Sequence, residues 1–168
     1  GKTLVMRGMR DRRWVAEHRG GELPMGQHRL LMRWACDVAE HLLEEFAREM
    51  PDDRPRQAIA IGRQWADGAV KTGVAMKAAL AAHAAAREAD FPEWTFVARA
   101  AGHAVATAHA ADHCIGAMTY AIKAWHIRDL DPRPFWNRHR LSMPEELRTL
   151  MVEGILSRLP RRLLPLLD

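Results

Sequence analysis

The stretch QHRLLMRWACDVAEHLLEEFARE, residues 27–49, decides the fold class. Leu31, Trp34, Ala35, Val38, Leu42 and Phe46 recur mostly at spacings of three and four. A period of about 3.6 residues gathers them into one apolar stripe, whereas a half-buried strand needs a period of two. Arg33, Asp37, Glu40 and Glu44 fall away from that stripe. The pattern predicts a helix from Gln27 to about Glu49.

The same reading extends in both directions. Upstream, Arg10 to His18 reads as a short helix stopped by Gly20, Gly21 and Pro24. Downstream, Asp53 and Pro55 open a helix running to about Trp65, which Asp67-Gly68 ends. Thr72 is the expected N-cap of a helix reaching about Ala89. Asp90-Phe91-Pro92 starts a pattern that carries Trp94, Val97, Ala98, Ala101 and Val105 and continues to about Ile127. That run is too long for one globular helix, so a break is expected near Thr107 to Ala111. A short helix over Phe135 to Arg140 follows, then one capped by Ser142 and running to about Leu159. Twenty alanines lie between Ala75 and Ala124, and such small side chains let helix axes approach closely. No segment alternates as a strand would. The expected architecture is all-α, a single domain over 1–168 forming a bundle or stacked hairpins of six to eight helices. Residues 34–127 would be its core and 128–168 a helical extension.

Composition narrows the class further. With 48% apolar and 27% charged residues, the chain has the balance of a globular protein. Cys36 and Cys114 do not form a CxxC pair and are expected as buried, reduced thiols, which suits the cytoplasm. No apolar run is long enough for a transmembrane helix, and the basic opening segment lacks the apolar stretch of a secretion signal. Charge is unevenly spread. Residues 1–33 carry +5, residues 34–127 carry −3 and residues 128–168 carry +2.

Two clusters bear on function. His103, His109, Asp112 and His113 lie close together in the chain, and His109 and His113 share a face if the helix is continuous. Paired histidines at i, i+4 can reach one metal ion, with His83 a candidate third ligand. This is the enzyme alternative: a metal-dependent hydrolase. No HExxH motif supports it, and histidines between alanine-rich helices serve equally well as polar rivets. No catalytic nucleophile is expected. Ser142 and Ser157 lack the elbow motif, and Cys114 and His113, as chain neighbours, point about 100° apart on a helix.

The second cluster is Arg10, Arg12, Arg13 and Trp14, joined by the distant Trp136 as candidate partner-binding residues, because aromatic and Arg side chains concentrate interface energy. The same basic segment makes a nucleic-acid role the less favoured alternative. Glu40, Glu44 and Glu45 read as a solvated face or, as the minority reading, an acidic patch for a basic partner.

Five segments then carry a likeness: Asp52-Asp53-Arg54-Pro55-Arg56-Gln57-Ala58, Trp65, residues 81–88 (AAHAAARE), residues 98–109 (ARAAGHAVATAH) and Tyr120-Ala121-Ile122-Lys123-Ala124. Together, over about residues 34–127, they resemble a family of small helical bacterial proteins labelled as putative immunity proteins of polymorphic toxin systems. The resemblance implies a helical bundle that binds and neutralises a cognate protein toxin, with no cofactor and no membrane partner. It carries no catalytic set. Self-pairing through the Leu-rich tail is the other association the sequence allows.

Overall fold

The computed structural model describes residues 11–168. Seven α-helices follow two short 3-10 turns: α1 (Met25–Phe46), α2 (Arg54–Ala66), α3 (Thr72–Glu88), α4 (Pro92–Ala106), α5 (Cys114–Ile127), α6 (Arg133–Leu141) and α7 (Arg148–Arg158). Among the described residues there is no strand, only an isolated bridge between Ala16 and Leu23. The all-α class is as expected, and so is the interruption between α4 and α5. No described helix is long and apolar enough to cross a membrane.

The organising element is α4. It packs against α1, α2, α3 and α5 at once. Its buried set, Val97, Ala98, Ala100, Ala101, Gly102, Ala104, Val105 and Ala106, is drawn from most of the way round the helix. A helix that is apolar over most of its circumference, with one side left to Arg99 and His103, belongs in the middle of a bundle. Its small side chains keep the neighbouring axes close, which explains the alanine run. The later elements are secured from outside: α7 lies on α5, and α6 is tied to α1 where the Trp34 indole Nε1 donates to the His139 carbonyl across 2.8 Å.

Four local expectations are corrected. Arg10 lies outside the described residues, and the rest of its expected helix is two 3-10 turns, Arg12–Trp14 and Glu17–Arg19. Asp11 accepts the Arg13 N–H there, and Gly20 turns the chain in the left-handed region at φ 86°, so no second helical turn follows. Asp52, not Asp53, takes the Arg54 N–H before α2. Thr72 is the first residue of α3, and its Oγ1 accepts from the Trp65 Nε1 at 3.2 Å. Ser142 ends α6, with its hydroxyl donating back to the His139 carbonyl at 3.0 Å, so it cannot cap α7.

One local device recurs three times. In Asp11-x-Arg13, Asp52-x-Arg54 and Asp131-x-Arg133, the Asp accepts the Arg backbone N–H while the guanidinium closes on the same carboxylate. Each clamp sets the first turn of a helix. Two also reach across the fold, Arg13 to Glu153 on α7 and Arg54 to Glu88 on α3. The residue two beyond Arg54, Arg56, donates to the carbonyls of Ala47, Arg48 and Met50 at the end of α1. Those carbonyls lack helical partners, so the guanidinium serves as a C-terminal cap. The distinctive DDRPR stretch is thus explained by structure.

Candidate functional site

Three histidines from three elements form a column. The rings of His83 on α3 and His103 on α4 meet edge to face, centroids 5.3 Å apart. His103 and His113, just before α5, lie 5.4 Å apart, with their Nδ1 atoms 3.3 Å from each other. Tyr120 stacks on His103 at 5.2 Å, and the Lys123 ammonium lies over the Tyr120 ring at 4.6 Å. Two glycines make room. A Cβ at Gly102 would stand 2.8 Å from the His83 ring, and one at Gly116 would stand 2.5 Å from the His103 ring.

Two rings of this column, His83 and His103, are held neutral. The Arg99 guanidinium donates to His83 Nδ1 at 2.8 Å, so that nitrogen carries no proton and the ring hydrogen is on Nε2. Burial, then the Arg99 charge, holds the His83 pKa below its ordinary value. Burial drives His103 down to about 4, aided by His113 and His83. Chemically, His83 and His103 offer neutral donor and acceptor nitrogens. Among the described residues no group of three or more His, Cys, Asp or Glu is placed to hold a metal ion.

The other expected members are divided by the fold. Because the helix breaks after Ala106, His109 and His113 do not share a face. His109 is exposed and borders a separate cavity. Asp112 stays beside the column, lining a pocket of about 360 Å³ with His103, His113, Tyr120 and Lys123, and pairs there with Arg158 of α7 at 3.2 Å. Trp14 and Trp136 are 8% and 4% exposed and pack in the core, so neither projects from the surface, although the Trp14 indole also forms part of the wall of a cavity. Arg12 and Arg13 are exposed but face carboxylates, Arg12 at Glu22 and Arg13 at Asp11 and Glu153.

A second histidine pair escaped the sequence reading. His41 Nδ1 on α1 lies 2.7 Å from His139 Nε2 on α6, and both rings pack on Phe135. Burial and the neighbouring His41 bring His139 down to about 4. The two are 98 residues apart in the chain, so no spacing signal could pair them. Beside them runs a groove of about 520 Å³ lined by Asp37, Glu40, Glu44, Glu45, Arg48 and Arg138.

Taken together, α4 at the centre, rivets of histidine and indole, and surfaces rich in paired charge define an all-helical scaffold protein. The chain belongs to the family described as Imm-5 like putative immunity protein, whose family model matches residues 22–145, 124 of its 168 residues. The match takes in α1 through α6 and so extends beyond residues 34–127 at both ends. No curated protein and no solved structure matches the chain.

Proposed function

We propose that this chain is an immunity protein that binds a cognate protein toxin in the cytoplasm and neutralises it by covering its surface, with no catalytic step of its own. Membership of the Imm-5 like family carries this reading. A bundle fixed by buried rivets suits the role, because a preorganised surface loses little freedom on binding.

The contact face best fitted to a basic toxin is the outer side of α1. Asp37 and Glu40 are held there by Arg63 at 2.9 and 2.8 Å, whereas Glu44 and Glu45 are exposed at the lip of the 520 Å³ groove. Exposed carboxylates of this kind steer an oppositely charged partner and raise its rate of association. The test partner is the product of any toxin-like gene adjacent to this chain's own. Co-expression should yield a stable complex and rescue growth from the toxin. Glu44→Lys with Glu45→Lys should slow association about tenfold or more at low salt. Failure of the two proteins to associate would sink the reading.

A further inference from the structure

A cavity of about 440 Å³ opens on the opposite kind of chemistry. Four separate segments build it: the 3-10 turns around Trp14 to Arg19, the first turn of α1 (Met25 to Arg29), the α2–α3 connection (Trp65 to Thr72) and the α4–α5 connection (Ala108 to Ala111). Its charged and ionisable lining is His18, Arg19, His28, Arg29, Lys71 and His109, with no Asp or Glu. Three of these are permanent cations at neutral pH. No ion pair among the described residues engages Arg19, Arg29 or Lys71. The carboxylate of the α2–α3 connection, Asp67, is taken by Arg33 at 2.8 Å.

The rest of the wall is apolar and aromatic. The Trp14 and Trp65 indoles both line it, and His28 packs on Trp65 with centroids 4.8 Å apart. His28 is 4% exposed, and its Nε2 lies 2.5 Å from the Thr107 carbonyl. A carbonyl only accepts, so Nε2 carries the ring hydrogen and Nδ1 is an acceptor, buried with no partner. The guanidinium of Arg29 lies against Gly68 at the cavity edge, while Arg19 donates to the His109 carbonyl and joins two of the four segments.

We infer that this cavity binds a small organic anion with a flat, apolar body, of the aryl phosphate or aryl carboxylate class. The volume is that of a small-molecule site, which typically spans about 300–1,000 Å³. Arg19, Arg29 and Lys71 take the anionic group at the mouth, and the two indoles take the body. A concave shape suits a free small molecule better than a flat protein surface. The inference stands independently of toxin binding.

Phenyl phosphate is the probe, titrated into the whole chain and followed by NMR at the six tryptophan indole N–H signals. Saturable shifts are expected at Trp14 and Trp65, with Trp34 and Trp136 unmoved. Phenol, which lacks the charge, and inorganic phosphate, which lacks the ring, should each bind at least about tenfold more weakly. Arg29→Ala with Lys71→Ala, both at exposed side chains, should weaken phenyl phosphate by about tenfold or more while leaving the thermal unfolding midpoint unchanged. Absence of saturable shifts in the millimolar range overturns the proposal. So does unchanged affinity in the double variant, or phenol binding as well as phenyl phosphate.

Discussion

Arg99 and His83, one turn-face apart on neighbouring helices, are joined by a hydrogen bond in which the guanidinium is necessarily the donor, at 2.8 Å. The pairing fixes the His83 tautomer and keeps the ring neutral. Arg99→Met should therefore raise the His83 pKa toward its ordinary value, because a repelling cation is lost while burial stays. An NMR titration of the imidazole carbons reads this directly. A fall in the pKa would show that the pair works in some other way.

Acid should destabilise the protein before its carboxylates titrate. His28, His41, His83, His103 and His139 all have folded pKa values lowered from 6.5, chiefly by burial. The unfolded chain then binds more protons than the folded one, so stability rises with pH. The contribution is complete above about pH 6.5 and declines as pH falls toward about 4, where His103 and His139 titrate in the fold. Each of those two represents at most about 3 kcal/mol. Thermal unfolding at pH 7, 6 and 5 should show a falling midpoint, and a flat profile down to pH 5 would contradict it.

Two glycine replacements should cost stability although alanine is the better helix former. Gly102→Ala and Gly116→Ala gain up to about 1 kcal/mol of propensity. Each also drives a Cβ into an imidazole ring, at 2.8 and 2.5 Å. Overpacking of that kind costs about 1–3 kcal/mol and should win. Gly73→Ala, with nothing within 4 Å, is the control and should be neutral or mildly stabilising. Urea denaturation of the three variants gives the ranking.

Removing the Arg56 guanidinium, as in Arg56→Met, should fray the end of α1. The Arg48 and Met50 carbonyls lose the donor Arg56 gives them, while Ala47 loses one donor and keeps the Met50 N–H at 3.0 Å. Part of the loss is made good by water, so about 1–2 kcal/mol is expected. Hydrogen exchange should quicken first at the last turn of α1 and leave α4 unchanged.

Neither thiol should react while the fold is intact. Cys36 and Cys114 are both fully buried and free, and burial pushes the Cys36 thiol up to about 12. A disulfide-exchange reagent at mildly alkaline pH should label them only as the protein unfolds. Rapid labelling of either would mean the core opens more readily than the packing implies.

The helices were legible because their stripes are local. Leu31 through Phe46 advertise α1 without reference to anything else, and the break after Ala106 was visible as a run too long to be one helix. Caps were read less well. Thr72 and Ser142 are good capping residues by chemistry, yet Thr72 receives an indole N–H and Ser142 closes the preceding helix. Those choices depend on tertiary neighbours. The histidine clusters were half legible. His83, His103, Asp112 and His113 were named together, but only the fold separates them from His109. His28 meets Thr107 across 79 residues, a distance in sequence that no periodicity spans.

The placement of α4 bears on how such a molecule can diversify. Its buried alanines and Gly102 are too small to shrink usefully and too enclosed to grow, so they act as a gauge block for the helices around them. Residues on the outer sides of α1 and α7 answer to no such constraint. They can be exchanged freely for different charges and shapes while the spacing underneath stays as it was. One scaffold can in this way present many faces by rewriting only its rim.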